Sequence, residues 1–256
     1  MKIFDAYAKY YDLLYSEKDY GAESKFVESL LEEHECSGRR ILELGCGTGK
    51  HAFELGKNGW QVLGIDLSQE MVMAANSKKR SVPELQSLKC TFEVGDARKY
   101  RSSIKFDAVI SLFHVLSYQT TTRDVIDQIK TAATHLEKGG LFVFDFWYGP
   151  AVMSDPPVNR LKQISDSQCK VTRFAESRMD PSRNKVTVNY KILVQNKETN
   201  QYYELEETHP MRYFFNPELE YLLETNGLAP LKIGAWMSSS AASPSSWYAH
   251  CVAKKN

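Results

Sequence analysis

Three closely spaced glycines after a short apolar run form the part of the sequence best suited to hold a ligand. Gly45, Gly47 and Gly49 follow the apolar run 40–44, and a pattern typical of a helix begins after them. Because glycine has no Cβ, the backbone of such a turn lets a ligand approach closely. Glu43 lies two residues before the first glycine. This order of strand, turn and helix predicts a site for a nucleotide-like cofactor.

Polar side chains follow the next three apolar runs, each at the point where the run ends. Asp66 ends the second run, Gly95 and Asp96 follow the third, and the segment 111–114 follows the fourth. In a doubly wound sheet, ligands bind beyond the carboxyl ends of the strands, where the strand order reverses. One extended ligand therefore reaches all of these positions.

Each of these positions also has an ordinary structural explanation. Asp66 accepts hydrogen bonds from both hydroxyls of a ribose, or it caps the helix that starts near residue 68. Asp96 accepts from the exocyclic amine of adenine while Ala97 offers its backbone N–H, or Asp96 is an aspartate of a loop turn. A group of apolar residues either encloses the base or belongs to the ordinary core: Leu67, Met71, and Leu112 or Phe113.

Alternating strands and helices position these residues. Several of the apolar strands between residues 40 and 147 are apolar throughout, which is typical of a parallel sheet covered on both faces. With two closing strands, the pattern predicts an α/β protein with a doubly wound, mostly parallel, seven-stranded sheet. The helix-like segments lie at 50–58, 68–80 and 122–137, and the closing strands at 228–236 and 247–253.

The alternation of strands and helices stops after Gly149-Pro150. Residues 151–215 hold three strand-like runs separated by turn residues, which predicts an inserted antiparallel β unit that acts as a substrate lid or a dimerisation surface. Residues 1–150 and 216–256 then form the ligand-binding core with a helical cap at the N-terminus. Asn216 is expected to cap the helix that follows the insertion.

Charge and composition narrow the choice of partners. The 256 residues include 32 Lys plus Arg and 32 Asp plus Glu, so no net charge attracts nucleic acid or an anionic membrane. No apolar run approaches the roughly 20 residues that span a bilayer, and the first residues lack the apolar core of a signal peptide. The five cysteines form no CxxC pair. We therefore expect a cytoplasmic protein with reduced thiols, a small-molecule partner, no nucleic acid, no membrane and no metal.

The GxGxG spacing differs from the GxGxxG turn of dinucleotide sites. The stretch E-L-G-C-G-T-G resembles motif I of the class I S-adenosylmethionine-dependent methyltransferases. The resemblance continues through G-I-D-L-S, V-G-D-A-R and F-D-A-V-I-S-L-F, in the family's order and spacing, and covers residues 38–147. It implies a Rossmann-like methyltransferase fold, S-adenosylmethionine as cofactor and S-adenosylhomocysteine as product.

The same resemblance implies which residues contact the cofactor. The methionine part would lie against the glycine turn, with Glu43 fixing nearby backbone or amine groups. Asp66 would hold the ribose, and Asp96 with Ala97 the adenine. The full implied set is Tyr20, Glu43, Gly45, Cys46, Gly47, Gly49, Asp66, Leu67, Met71, Gly95, Asp96, Ala97, Leu112 and Phe113.

The N-terminal tyrosines carry a second, shorter resemblance. The stretch Y-Y-D-L-L-Y at 10–15 is similar to the N-terminus of bacterial N,N-dimethyltransferases that act on nucleotide-linked amino-deoxysugars, and those enzymes also carry a β insertion. Methyltransferases for surface-polysaccharide sugars would look the same at this level of resemblance. Glycine and sarcosine N-methyltransferases share the N-terminal tyrosines. The resemblance implies a small polar acceptor, an amino- or hydroxysugar attached to a nucleotide. An amino acid or other small amine is the alternative acceptor.

Several residues are candidates for the methyl-transfer site itself. His114 is placed to accept a proton from an attacking amine or hydroxyl, or it is a structural histidine. Tyr15 and Tyr20 line the transfer site or hold the methionine carboxylate, or they pack on the core as part of an amphipathic helix. Tyr11, Trp147 and Tyr148 are the candidates for stacking on the acceptor, although the last two also suit an anchor for the insertion.

Three other functions compete with this interpretation. A nucleic-acid methyltransferase would need Asp-Pro-Pro-aromatic after the fourth strand, whereas Asp155-Pro156-Pro157-Val158 lies one strand later and ends in valine. An NAD-dependent oxidoreductase would need the longer glycine spacing. A non-catalytic cofactor-binding module would keep the same glycines and carboxylates, so the sequence leaves that possibility open.

Overall fold

A computed structural model describes residues 8–256 of the protein, apart from the side chains of residues 8 and 9. The first residues, on which the signal-peptide argument rests, lie outside this range. The helices are α1 (Ala8–Leu14), α2 (Tyr20–Glu33), α3 (Lys50–Lys57), α4 (Gln69–Ser81), α5 (Pro83–Gln86), α6 (Thr122–His135), α7 (Gly149–Ser154) and α8 (Asn216–Glu224). The strands are β1 (Arg40–Leu44), β2 (Gln61–Asp66), β3 (Cys90–Val94), β4 (Phe106–Ser111), β5 (Leu136–Tyr148), β6 (Arg160–Ser165), β7 (Cys169–Asp180), β8 (Lys185–Asn196), β9 (Tyr202–Phe214), β10 (Leu228–Ala235) and β11 (Tyr248–Lys255).

The central sheet has the strand order β3-β2-β1-β4-β5-β11-β10. The strands from β3 to β5 are parallel, whereas β11 runs antiparallel to both β5 and β10. Glu43 of β1 pairs with Gly64 of β2 and with Ile110 of β4, so the carboxyl ends of these strands lie level. The predicted doubly wound α/β sheet is confirmed, and its strand order reverses between β1 and β4.

Two apolar cores cover the two faces of this sheet. Successive residues of β1 point to opposite faces, so Ile41 packs in one core and Leu42 in the other. The first core includes side chains of α2, α3 and α4, and the second includes side chains of α6 and α8. This double cover explains why the central strands are apolar along their whole length.

The insertion is an antiparallel sheet that continues from the central sheet. Strands β6, β7, β8 and β9 pair in that order, and the end of β9 pairs with the end of β5 through Trp147–Tyr213 and Tyr148–Phe214. The predicted antiparallel insertion is confirmed. Strand β6 adds to the three predicted strands; its sequence RLKQIS is mostly polar because the strand forms an exposed edge. Helix α1 packs beneath this sheet through the fully buried Leu14.

The start of α8 corrects one expectation. Asn216 does not cap this helix but is its first residue; the capping position is Phe215, which makes no side-chain cap hydrogen bond. Pro217 follows directly, and the fixed φ of proline favours the first turn of a helix. The end of the helix agrees with the sequence, since Gly227 follows it with a φ of 80°.

The described part of the chain, residues 8–256, contains no helix that is both long enough and apolar enough to span a bilayer. All five cysteines lie in this part and all have free thiols. Disulfides therefore contribute nothing to the stability of this fold, which relies on the two apolar cores.

Candidate active site

A cavity of about 880 Å³ lies at the carboxyl ends of the central strands, between the glycine turn and the insertion. This volume is near the upper end of the range of about 300–1,000 Å³ that is usual for ligand sites, so it has room for a cofactor and an acceptor together. Most of the residues predicted from the sequence line it: Tyr11, Tyr15, Gly45, Gly47, Asp66, Leu67, Met71, Gly95, Asp96, Ala97, Leu112, Phe113, His114 and Trp147.

The remaining predicted residues do not line this cavity. Tyr20 and Cys46 line a smaller cavity of about 30 Å³, which shares five lining residues with the large one: Tyr11, Gly45, Gly47, Leu112 and Phe113. Glu43, Gly49 and Tyr148 line neither cavity. Tyr148 is buried in the core, where its ring contacts Phe146.

The three glycines of the turn have different roles. All have positive φ, at 80° for Gly45, 52° for Gly47 and 79° for Gly49. A Cβ on Gly45 would meet the Val115 side chain at 2.5 Å, and one on Gly49 would meet the Phe92 ring at 2.7 Å. A Cβ on Gly47 would meet no atom of the described residues within 4 Å. Gly47 therefore borders open space, whereas Gly45 and Gly49 allow close packing of Val115 and Phe92, and Gly45 lines the cavity as well.

Replacing Gly47 with alanine should weaken the binding of S-adenosylhomocysteine, the product that the sequence resemblance implies, by about tenfold or more, because the new methyl group would occupy the open space beside the turn. Gly59 is the matched control: it also has positive φ, 89°, and open space where a Cβ would lie, but it belongs to the turn between α3 and β2. Both substitutions share the backbone strain of about 1–2 kcal/mol. Isothermal titration that finds equal loss of affinity in both variants would contradict this account.

Asp66, at the end of β2, is held by the backbone on both sides. Its Oδ2 accepts from the N–H of Gly47 at 2.8 Å, and its Oδ1 accepts from the N–H of Ser68 at 2.9 Å. Ser68 itself caps α4, since its side chain accepts from the N–H of Met71. Burial raises the pKa of Asp66, although the two backbone hydrogen bonds oppose that shift. Asp66 thus couples the glycine turn to the start of α4 and faces the cavity.

Asp96 is fixed by its neighbour two residues along. Arg98 donates to both oxygens of the Asp96 carboxylate, through Nε at 2.8 Å and Nη2 at 2.7 Å, and also donates to Asp124 at 2.9 Å. The hydrogen bond from Arg98 lowers the pKa of Asp96. The loop 95–98 is therefore held in place where it borders the cavity. Leu67, which is 54% exposed, and the buried Met71 line the cavity as well.

Glu43 lies beneath the glycine turn in a buried chain of polar groups. Its side chain is 1% exposed, its Oε1 lies 3.8 Å from Nδ1 of His51, and within the described residues its Oε2 has no hydrogen-bond partner. Burial and the nearby Asp66 carboxylate raise the pKa of Glu43 well above the ordinary range. On the other side of the ring, His51 Nε2 lies 2.8 Å from Oε2 of Glu23.

Helix α1 is fastened to the glycine turn by Asp12. Its Oδ1 accepts from the Thr48 hydroxyl at 2.8 Å, and the carboxylate pairs with Lys50 and Lys78. Burial alone would raise the pKa of Asp12, but the charge and the hydrogen bond of Lys78 outweigh this effect and lower the pKa. This attachment brings the α1 tyrosines to the cavity, where the rings of Tyr11 and Tyr15 lie 4.8 Å apart.

His114 occupies a strained turn directly after β4. Phe113 and His114 both have positive φ, 63° and 64°, which is costly for residues with a Cβ. Asp145 of β5, 1% exposed, holds this turn: its Oδ1 accepts from the N–H of His114 at 2.9 Å, and its Oδ2 lies 2.7 Å from His114 Nδ1. The ring of Tyr248 stacks on the imidazole, with centroids 4.5 Å apart.

The far half of the cavity is built by the insertion and by α1. Arg173 of β7 donates to the hydroxyl of Tyr15 at 3.1 Å, and its guanidinium lies 4.7 Å from the centre of the Tyr190 ring. Arg160 of β6 lines the same half. We call this the acceptor half. It combines two cationic side chains with aromatic faces, and Trp147 and Tyr248 line it too.

Several residues of this site are not identifiable as a group from the sequence. Asp145 has a recognisable signal, as the acid within the otherwise apolar run F-V-F-D-F-W. Tyr118, Tyr190, His209 and Tyr248 also line the cavity, but no local pattern sets them apart from structural residues. Pro157 and Val158, which the sequence connects only with a nucleic-acid motif in the wrong place, line the cavity as part of the insertion.

Comparisons with known proteins agree with this architecture. Residues 41–140 match a family model described as a methyltransferase domain. The chain is similar to a protein of Streptomyces venezuelae named dTDP-3-amino-3,4,6-trideoxy-alpha-D-glucopyranose N,N-dimethyltransferase, with 27% identity over 224 residues, which is 87% of this chain and 90% of that one. It is 30% identical over 226 residues to YqeM of Bacillus subtilis (strain 168), a methyltransferase by name, across 88% of this chain and 86% of that one.

A solved structure resembles nearly the whole chain. It is an S-adenosylmethionine-dependent methyltransferase from Clostridium acetobutylicum ATCC 824, with a TM-score of 0.83, 24% sequence identity, and coverage of 98% of this chain and 100% of that chain. At this identity the likeness concerns the fold, and it includes the insertion as well as the central sheet.

Proposed function

Because the chain belongs to the S-adenosylmethionine-dependent methyltransferases, we propose that it methylates the amino group of a nucleotide-linked amino sugar. The cofactor supplies a methyl group bonded to a positively charged sulfur, which a lone pair on the acceptor attacks in line. Such a transfer needs little covalent help from the protein. The protein contributes by aligning the two reactants and excluding water.

The residues around the glycine turn suit this cofactor. Gly47 leaves open space beside the turn, and Asp66 presents a carboxylate at the end of β2 where a ribose would lie. Asp96 and Ala97 border the place for the adenine, between the apolar side chains of Leu67 and Met71. Glu43 is buried beneath the turn and lines neither cavity, so the role that we assign to it is to support the turn.

The observation that carries the choice of acceptor is the pair of arginines in the acceptor half. Arg160 and Arg173 line the cavity where the insertion closes it, and guanidinium groups bind phosphate oxygens with good geometry. Trp147 and Tyr248 offer flat faces for a sugar or a base. The named dTDP-amino-sugar relative matches 87% of this chain, which favours the same class of acceptor.

His114 is the residue that we assign to proton removal. An amine attacks only through its lone pair, so the ammonium form must lose a proton first. The negative charge of Asp145, whose Oδ2 lies 2.7 Å from Nδ1 in a contact that is not aligned as a hydrogen bond, favours a proton on that nitrogen and leaves Nε2 to accept one. Tyr15, held by Arg173, closes the cavity beside Phe113, with ring centroids 5.0 Å apart.

The arginine assignment is tested by titrating dTDP into the protein loaded with S-adenosylhomocysteine. We expect Arg160→Met and Arg173→Met each to weaken dTDP binding by about tenfold, since a hydrogen bond to a charged group contributes about 1.5–3 kcal/mol. Arg178→Met is the matched control, because that side chain is 76% exposed and pairs with Glu176. Equal affinity for dTDP in all three variants would overturn the phosphate assignment.

The proposal makes the insertion 151–215 a substrate lid on a core formed by the rest of the chain. The proposed acceptor is a small molecule and not a nucleic acid, because the chain has no net charge and the two arginines that carry the argument line the cavity. A second copy of the chain is not required for the cavity, since one chain supplies all the residues named above.

A further inference from the structure

A second histidine–carboxylate pair, Glu207 and His209, borders the acceptor half. Glu207 and His209 are two residues apart on β9, so their side chains lie on the same face of the strand. Nε2 of His209 lies 3.0 Å from Oε2 of Glu207, and both side chains are 2% exposed. Nδ1 of His209 lies 2.9 Å from the hydroxyl of Tyr118, in the turn after β4. Tyr118 and His209 both line the cavity.

The chemistry of these groups fixes the direction of the hydrogen bonds. An ionised carboxylate only accepts, so the proton between Glu207 and His209 belongs to Nε2. Nδ1 of the neutral ring is then an acceptor, and the Tyr118 hydroxyl donates to it. The hydroxyl oxygen is also a hydrogen-bond acceptor, and Tyr118 lines the cavity.

We propose that Tyr118, His209 and Glu207 form a relay that removes a proton from the acceptor's ammonium group. The proton leaves the acceptor nitrogen for the Tyr118 oxygen while the hydroxyl proton of Tyr118 passes to Nδ1 of His209. The imidazolium so formed pairs with the Glu207 carboxylate, and the acceptor keeps the lone pair that it needs. Tyr118 is then the catalytic residue of the relay, and His209 and Glu207 are positioning residues.

The surroundings favour a relay in which tyrosine is never left charged. Burial raises the pKa of Tyr118 well above the ordinary range, although the charge of Arg173 opposes that shift. The charged and titratable groups that face the relay are Arg173 on β7, Tyr190 on β8 and Tyr15 on the segment after α1. Tyr118 therefore keeps a proton throughout, receiving one as it gives one, and the net change of charge falls on His209 beside its carboxylate.

The relay also explains why two histidine–carboxylate pairs face one cavity. A nitrogen that has gained one methyl group carries an extra proton, which must leave before that nitrogen attacks again. His114 and Tyr118 both lie in the segment after β4, and their partners Asp145 and His209 lie on β5 and β9. Two proton acceptors at one cavity serve a nitrogen whose substituents change position between successive transfers.

The inference rests on the proposed amino-sugar acceptor and is tested by a pH–rate profile. The probe is dTDP-3-amino-3,4,6-trideoxy-glucose, with Tyr118→Phe, His209→Gln and Tyr203→Phe as a matched control on the exposed part of β9. At neutral pH we expect the first two variants to lower kcat by about tenfold, since His114 still accepts protons. The loss should disappear at alkaline pH, where the amine is already neutral, and Tyr203→Phe should follow the unchanged protein.

A purely structural role predicts a different result. If Tyr118→Phe lowers kcat equally at every pH, or leaves it unchanged at neutral pH, the relay is overturned. Nitrogen NMR of the histidine rings tests the hydrogen-bond direction without turnover, and so remains decisive if no sugar nucleotide is methylated. The relay requires a proton on Nε2 of His209 and an Nδ1 resonance that shifts in Tyr118→Phe. A proton on Nδ1 of neutral His209 would refute it whatever the acceptor is.

Discussion

Replacing Asp145 with asparagine should lower kcat for methyl transfer by about 100-fold, within the range of about 10²–10⁴ that a general base contributes. The carboxylate accepts the backbone N–H of His114 and lies 2.7 Å from Nδ1 of the same residue. An asparagine NH₂ group facing Nδ1 donates to it, which places the ring proton on Nε2 and removes the acceptor that the reaction needs. The measurement is single-turnover release of S-adenosylhomocysteine at saturating acceptor.

Comparing Asp145→Asn, which keeps the imidazole ring, with His114→Ala, which removes it, separates the effect of the ring's orientation from the effect of its packing. Because the two residues act as one unit, the double variant should be about as slow as either single variant, and not the product of both effects. Affinity for S-adenosylhomocysteine should change less than about threefold in all three proteins. Turnover in His114→Ala at the rate of the unchanged protein would assign His114 to a structural role.

Replacing Asp66 with alanine should weaken the binding of S-adenosylhomocysteine by about 100-fold. In the proposed assignment, two ribose hydroxyls would lose a charged acceptor that contributes about 1.5–3 kcal/mol per hydrogen bond, and the Gly47 N–H would lose its partner. Burial raises the pKa of Asp66, so its carboxylate takes up a proton at a higher pH than an ordinary aspartate does. As the pH is lowered, the affinity of the unchanged protein for S-adenosylhomocysteine should therefore begin to fall at that higher pH. Isothermal titration across pH measures both effects.

The alternative explanation of Asp66 is that it serves only as a helix cap, and Asp19→Ala is the matched control for that explanation. Asp19 caps α2 by accepting from the N–H of Ala22 at 2.8 Å and lines neither cavity. Its loss should cost about 1 kcal/mol of unfolding free energy and leave cofactor affinity unchanged. If Asp66→Ala behaves in the same way, with lower stability but full affinity, Asp66 is a structural aspartate and the ribose assignment is wrong.

The cofactor half of the site was predictable because its residues lie close together in sequence and follow strand ends. The glycine turn, Asp66 and Asp96 each come at or directly after the end of a strand in a parallel sheet. Once the sheet is predicted, such residues must meet at one edge. Even so, the sequence did not distinguish Gly47, beside which a Cβ would find open space, from Gly45 and Gly49, where a Cβ would meet Val115 and Phe92.

The acceptor half was less predictable because distant segments build it. Tyr118 and His209 are 91 residues apart in sequence, and the pairing of β9 with β5 helps to bring the insertion onto the cavity. His114 was identified from its position after β4, but its partner Asp145 lies in a strand that reads as apolar core. Arg160 and Arg173 lie on neighbouring strands and resemble scattered surface charges until the register of β6 and β7 is known.

The most direct test of the account is methyl transfer to a sugar nucleotide. The protein is incubated with S-adenosylmethionine and dTDP-3-amino-3,4,6-trideoxy-glucose, with glycine and the same sugar without its nucleotide as parallel acceptors, and the products are identified by mass spectrometry. We predict a methylated sugar nucleotide formed in step with S-adenosylhomocysteine, and far slower reaction with the other two acceptors. Methylation of glycine in preference to the sugar nucleotide, or no transfer to any sugar nucleotide, would contradict the proposed function.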